Sequence, residues 1–477
     1  MSEVDKIKID VNIDGVPVFK SRNTSFWPIL CSIDNSVPYK FNSVTPFIVA
    51  IFYGAKKPDV HQFLQLFVAE LKRLMEYGIV VAGKHFDVEL RSVIADAPAR
   101  AFLKQTKCHG GYYACDRCTT KGTYKTRALS YDETGAEKRD NNSFRSKSQP
   151  GHHIGNSPFT ILNIDMVSIF VYDYLHVILL GIVRKLMLLF WNKVPHKLSN
   201  SQKSIVNQKV EILHKYFPSE FARKPRSFEE LERFKGSEFR TILLYTGFIL
   251  FHDILPTKVY NNFCILIFIV RILCDPLLID DENNLTYAQA LSVSFVKQFK
   301  NIYKDINVSF NVHSLIHITD DVRRYGILDS FSAFPFESVL GNIKRKLRTS
   351  NAPFAQISRR ISKGYQFNKT KEIKNDGGFI INGHKIIPNQ FKNSFVLLCD
   401  KSVASVKKIT GKCIKVYKFR SIIPALKYPT SSSFLDMQVI SISSQFTSKV
   451  SVIQKSDILR KCMILPHKKN FVIIPLL

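Results

Sequence analysis

Cys115 and Cys118 form a CxxC pair, and far downstream His313 and His317 form an HxxxH pair. A tight turn aims both thiols at one point, and one helical turn aims both imidazoles at one face. Two thiolates and two imidazoles can close a tetrahedral zinc site. Such a site ties together segments about 195 residues apart. Asp96 precedes the first pair and Glu337 follows the second, each by about twenty positions, so closure is expected to bring these acids close. Paired carboxylates beside a basic surface point to metal-dependent chemistry on nucleic acid. Cys108 and His109 are alternative ligands. A redox CxxC is a second reading, although no thioredoxin-like βαβ context accompanies it. The blander reading of the histidines is a polar pair on an amphipathic helix.

Two-metal phosphoryl transfer uses about three converging carboxylates. Asp96 ends the hydrophobic run Phe86–Ala95, where an acid is hard to explain as structure, although it also stands where a cap precedes Pro98. Glu337 lies near the start of its helix, a placement that the helix dipole favours on its own. The third acid is open between Asp14, Asp10 and Asp34, and Asp14-Gly15 is a turn dipeptide in any case. Arg100 and Lys104 lie one turn apart after Asp96. Lys344, Arg345 and Arg348 follow Glu337, with the spacing to lie along DNA phosphates or on a solvated face. His176 reads as a hydrogen-bonded core histidine on an apolar helix. Tyr112, Tyr113 and Phe102 read as core packing before base stacking.

The net charge of +29 over 477 residues, spread along the whole length, favours a polyanionic partner. Hydrophobic residues make up 45%, enough for a sizeable core and too many for a disordered tail. The chain opens on charged residues, Met1 to Lys6, without an apolar leader, so its nine cysteines are expected to be reduced, in cytosol or nucleus. The apolar run Phe263–Val270 is too short to span a bilayer, and no membrane partner is expected.

The elements that must position these residues can be read from their periods. Ile7, Ile9, Val11 and Ile13 alternate as a strand, and more strand follows through residue 33. Pro58–Tyr77 has helical spacing and ends at Gly78. Phe86–Ala95 is again a strand, and Ala99–Lys107 is a helix. Residues 1–125 therefore predict an α/β layer carrying the CxxC knuckle. Residues 126–158 are polar and predict a mobile loop. Residues 159–325 predict a helical insertion ending in HxxxH, with helices at Tyr174–Trp191, Ser201–Tyr216, Ser227–Phe251 and Ala288–Lys304. Residues 326–370 predict a core helix, Phe336–Arg348, with the third acid. Short Val/Ile-rich runs over 379–477 predict a small β-barrel or sandwich.

The order of these features resembles the DDE transposases of cut-and-paste DNA transposons, more narrowly the branch with CACTA, Chapaev and Transib elements and the catalytic subunit of the V(D)J recombinase. It is also similar to transposase-domain proteins of animal genomes. The resemblance rests on the stretches 14–21, 26–30, 107–118, 173–176, 220–227 and 238–240 (Asp14-Gly15-Val16-Pro17, Phe26-Trp27-Pro28, Cys108-His109-Gly110-Gly111, Asp173-Tyr174-Leu175-His176, Glu220-Phe221-Ala222-Arg223 and Glu238-Phe239-Arg240) and covers roughly residues 7–365. It implies an RNase H-like core interrupted by a large all-α insertion, with Asp14, Asp96 and Glu337 holding two Mg²⁺ or Mn²⁺ ions. Water and then a DNA 3′-hydroxyl would attack a phosphodiester, and zinc would be structural. A nuclear DNA partner is implied, with a homodimer as an open assembly. Such transposases usually carry an N-terminal region that recognises the element's ends, whereas here the first strand starts a few residues from Met1. A fragment, a decayed copy and a host-retained core are all open. So is a catalytically inactive, zinc-stabilised module that binds DNA or protein, or a nuclease without strand transfer.

Overall fold

The computed structural model describes residues 6–19, 22–34, 45–125, 128–193, 196–304, 308–349, 351–365, 378–411, 413–419, 423–440, 450–468 and 470–477. The chain divides into two compact units, one of residues 1–181 with 296–370 and one of residues 182–295 with 371–477.

The first unit is built on a mixed sheet. Its strands are β1 (Lys6–Ile13), β2 (Val16–Phe19), β3 (Arg22–Ile33), β4 (Phe47–Gly54), β5 (Ile79–Val81) and β6 (Lys84–Ala95), joined by a later strand, Phe170–Tyr172. β3 pairs antiparallel with both β1 and β4. β1 runs parallel to β6, with Val11 opposite Val93, and β6 runs parallel to Phe170–Tyr172, with Ala95 opposite Tyr172. Three neighbouring parallel strands thus end side by side, and the next residues are Asp14, Asp96 and Asp173. In open α/β sheets the carboxyl ends of parallel strands are where ligands gather.

β1 is central and buried on both faces. Val11 and Ile13 enter the apolar core, while the other face carries the buried polar residues Asp10 and Asn12. Asn12 donates to the Ile94 carbonyl at 2.8 Å, and Asp10 accepts from Ser92 and Arg91. The helix α1 (Val60–Tyr77) crosses from β4 to β6. Asp59 caps it by accepting from the His61 and Gln62 amides, and Gly78, at φ +66°, ends it. Its buried stripe is Val60, Leu64, Val68 and Leu71. Truncating a fully buried leucine such as Leu64 to alanine costs about 2–5 kcal/mol. The helix α2 (Ala97–Lys104) follows β6 directly, with Asp96 as its cap.

Three expectations need correction here. Residues 128–158 are not a featureless loop. They hold a strand, Ala128–Ser130, a helix, Asn141–Arg145, and the buried side chains of Tyr131, Phe144 and His152. Long-range hydrogen bonds fix them: Arg145 donates to the carbonyls of Thr160, Leu162 and Ile164, and Arg139 to that of Cys115. The block expected to be helical from 159 contributes the strand Phe170–Tyr172 to the sheet. Residues 326–365 carry two longer helices, Phe334–Arg345 and Pro353–Tyr365, rather than one.

The second unit joins segments expected to be separate domains. Residues 182–295 carry helices and no strand among the described residues. Thr257–Cys274 is apolar all round and buried from Asn262 to Cys274, the pattern of a central core helix. It and Leu175–Asn192 are long and apolar enough to cross a bilayer, but 78% and 61% of their residues are buried within the protein. Among the described residues, 379–477 form an antiparallel sheet of eight strands and a separate hairpin, Phe379–Ile386. Val396 and Leu398 face one apolar cluster and Phe395 and Leu397 the other, as strand alternation dictates. Helices and sheet are tied by Arg271, which donates to the Leu244 and Pro475 carbonyls, and by an Arg460–Asp275 ion pair.

Candidate metal centre and acid pocket

The CxxC lies in the loop after α2, and the histidines lie on a helical stretch that passes from α (Phe310–Ser314) through a 3₁₀ turn (Leu315–His317) back to α (Ile318–Tyr325). All four side chains are buried, and their ligand atoms lie within 4.8 Å of one another. Cys118 Sγ is 3.4 Å from Cys115 Sγ and 3.3 Å from His313 Nε2, and Cys115 Sγ is 3.6 Å from His317 Nε2. A zinc tetrahedron has S···S edges of about 3.8 Å and S···N edges of about 3.6 Å, so the set fits zinc closely. A disulfide, at about 2.05 Å, does not match the sulfur separation. The Arg117 amide donates to Cys115 Sγ at 3.4 Å, and Thr120 Oγ1 is 3.1 Å from Cys118 Sγ. Burial opposes ionisation of Cys115, but hydrogen bonds from Cys118 and both histidines hold its thiol well below the ordinary value. A thiolate is the metal-binding form. Cys108 and His109 stand apart, 3.0 Å from each other and outside this set.

The residues between the ligands are charged and buried. Asp116 accepts from Arg100 Nε at 2.7 Å and Lys104 Nζ at 3.0 Å. Burial alone would raise the Asp116 carboxyl, yet the Lys104 and Arg100 charges hold it well below the usual range. Arg100 and Lys104 are therefore not DNA contacts. At 1% and 0% exposure they cannot reach a phosphate, and they bind α2 to the knuckle instead. Arg117 pairs with Asp321 at 2.6 Å and donates to the carbonyls of Val167 and Phe170. Asp321 also accepts the Tyr172 amide, which joins the histidine helix to the strand Phe170–Tyr172.

Asp14 and Asp96 stand at the carboxyl edge of the sheet, with Glu337 within range of their charges. Asp14 follows β1, and its Oδ1 accepts the Gly15 amide at 2.7 Å. A Cβ at Gly15 would meet the Trp27 ring at 2.6 Å, so the indole packs directly under this turn. Asp96 follows β6 and accepts the Ala99 amide at 2.7 Å, so the cap and the pocket share one residue. Glu337 stands in the first turn of Phe334–Arg345, with its side chain 40% exposed. Burial and then the Asp96 charge push the Asp14 carboxyl up to about 7, with Glu337 adding and His176 opposing. Burial also raises Glu337, which feels His176, Asp173 and Asp96. The competing acids lie elsewhere: Asp10 pairs with Arg91 at 2.9 Å, and Asp34 lies 3.9 Å from the same guanidinium.

His176 is not a core histidine. It opens a π-helical stretch, Leu175–Val183, and its Nε2 lies 3.7 Å from Glu337 Oε1. Its Nδ1 lies 2.5 Å from Asp173 Oδ2. Burial alone would lower its pKa, but the Asp173 bond and charge, then Glu337 and Asp96, raise it to about 9. Lys57 is a second residue near these acids, and no motif surrounds it. Its Nζ lies 4.0 Å from the Phe102 ring and 5.0 Å from that of Trp27, within reach of the Asp96 and Asp14 fields. Tyr112 is exposed, while Phe102 packs against Trp27 at 5.3 Å between ring centres. Lys344, Arg345 and Arg348 are exposed beyond Glu337. Lys344 lies about 10 Å from Glu337 along the helix axis, at 1.5 Å per residue.

No protein-family model matches the chain, and no curated protein matches it.

Proposed function

We propose that the chain is a DDE-type DNA transposase or a relic of one, with an RNase H-like core that cuts and joins phosphodiesters. The observation that carries this reading is the placement of Asp14 and Asp96 at the carboxyl ends of the neighbouring parallel strands β1 and β6, with Glu337 in range of the Asp96 charge. The strand order β4-β3-β1-β6 and then Phe170–Tyr172, antiparallel first and parallel after, supports the core assignment. Oxygen donors of this kind suit Mg²⁺ or Mn²⁺. Bound ions would supply activation of the attacking oxygen and neutralisation of charge on the leaving one. Asp14 and Asp96 are held on rigid strand ends, and Glu337 is aimed by its helix. Lys344, Arg345 and Arg348 would hold the DNA backbone. The Cys115, Cys118, His313 and His317 site would hold structural zinc that fixes the chain where it returns from residues 182–295.

One observation favours a second reading, a zinc-stabilised binding module without catalysis. Asp14 and Asp96 each commit an oxygen to a local amide, and the Cys/His set is the group of potential metal ligands within 4.8 Å among the described residues. Incubation of a labelled duplex with Mg²⁺ or Mn²⁺ decides between them. The enzyme reading expects nicking or cleavage that Asp96→Ala abolishes, and strand-joined products separate a transposase from a nuclease. DNA binding without any cut overturns the enzyme reading and supports the module.

A further inference from the structure

We propose that an aromatic cavity between the loop before the CxxC and the start of the histidine helix is a binding site for an unpaired base of DNA. The proposal takes from the reading above only that DNA is the partner, and it needs no cleavage. The cavity has a volume of about 540 Å³, within the range of small-ligand sites, about 300–1,000 Å³. Tyr131 and Phe310 line it from the buried side, edge to face, with ring centres 6.2 Å apart. Tyr112 and Tyr124 line it from the solvent side and are 52% and 66% exposed, so their rings are accessible to a guest. His109 is a fifth ring of the lining.

The walls are fixed to one another by hydrogen bonds. The Tyr131 hydroxyl donates to the His109 and Gly111 carbonyls at 3.0 and 2.6 Å, which anchors the loop that carries Tyr112. The Gly122 amide donates to the Tyr112 carbonyl at 2.6 Å, which ties that loop to the strand Thr123–Lys125 and so to Tyr124. The Tyr131 amide donates to the Val308 carbonyl at 2.9 Å, beside Phe310. Rings held in place before binding lose less freedom when a guest stacks on them.

The lining chooses the guest. Aromatic faces accept any planar ring, and every base has one. A quaternary ammonium group also suits an aromatic cage, but no carboxylate lines this cavity among the described residues. The loops that form it carry the exposed cations Lys107 and Lys121 instead, which suit the phosphates on either side of a base. His109 lies within range of the Asp96 charge, so the cavity borders the side of the sheet where Asp14 and Asp96 stand. A protein that works on a strand there can hold a base turned out of the stack.

The test measures binding of the full chain by fluorescence anisotropy at one salt concentration. The labelled probes, about twelve nucleotides long, are a single strand of oligo-dT, an abasic strand with the same phosphates, and a duplex. The expected result is at least about fivefold tighter binding of oligo-dT than of the abasic strand. Tyr112→Ala and Tyr124→Ala should each weaken oligo-dT binding by about fivefold to a hundredfold. Both should leave abasic and duplex binding unchanged, and Tyr124→Phe should keep the wild-type preference. Equal affinity of the wild-type chain for the two single strands overturns the proposal. So does a base preference that survives both alanine variants, or an equal loss for all three probes. Duplex binding without base preference keeps the DNA reading and sinks this site, and no binding of any probe sinks both. A tyrosine-dependent base preference without DNA cleavage keeps the site and sinks the phosphodiester reading.

Discussion

Arg117, inside the CxxC, donates to Asp321, one turn beyond the HxxxH, at 2.6 Å. The two halves of the candidate metal centre are therefore joined by a buried ion pair. A fully buried pair gains little net stability from its attraction, because both charges were taken out of water. Breaking it is another matter. Arg117→Ala strands Asp321 in the core, and urea unfolding should show a loss of about 3–5 kcal/mol. A loss under about 1 kcal/mol, the scale of surface pairs, would mean that water reaches the site.

The Cys/His centre should bind one zinc per chain, as read by elemental analysis of purified protein. Cobalt substitution should give the intense visible bands of tetrahedral thiolate coordination. Chelation, or Cys118→Ser, should lower the thermal midpoint, and zinc binding by the unmodified chain should weaken as pH falls, because protons compete for thiolate and imidazole. A chain with full stability and no bound metal after gentle purification would count against the site.

The His176–Asp173 pair gives a pH dependence of definite sign. The histidine's pKa is raised to about 9 in the folded chain. Its stabilisation is therefore fully present below about 6.5, the unfolded value, and is lost as pH rises through 9. The upper bound is about 3 kcal/mol at 1.36 kcal/mol per unit. Zinc-loaded, Mg²⁺-free protein should unfold more easily in urea at pH 9.5 than at pH 6.5, and His176→Gln should flatten that difference. An unchanged difference in the variant would assign the dependence to other groups.

The two basic clusters should part company. Replacing Lys344, Arg345 and Arg348 by alanine should leave stability within about 0.5 kcal/mol, as exposed substitutions do. DNA affinity should fall, and the salt slope should shrink by up to about three. Arg100→Ala should instead leave the salt slope unchanged and cost several kcal/mol of stability, because Asp116 loses a buried partner. Fluorescence anisotropy across salt concentrations, alongside denaturant unfolding, reads both.

The parts that were legible in the sequence were those with local signatures. Alternation gave β1, i to i+4 spacing gave α1, and Gly78 gave its end. CxxC and HxxxH spacing gave a ligand set that the fold brings together. What was hidden depends on partners remote in sequence. Arg100 and Lys104 look like a phosphate-binding pair until Asp116 is seen across from them. Residues 128–158 look loose because arginine-to-carbonyl bonds, not apolar periods, order them. His176 lay in an apolar run, and only its i to i+3 spacing from Asp173 hinted at a polar role. The union of residues 182–295 with 371–477 had no local signal at all.

The discontinuity of the first unit has a consequence for how the chain is made. Its cysteines leave the ribosome early, but its histidines follow only after residues 182–295 have been synthesised. At about 5–20 residues per second the wait is about 10–40 s. Throughout that interval two reduced thiols and a half-finished buried charge network stand without their counterparts. Newborn polypeptides stalled or truncated before His313 should therefore be prime substrates for chaperones and for adventitious oxidation.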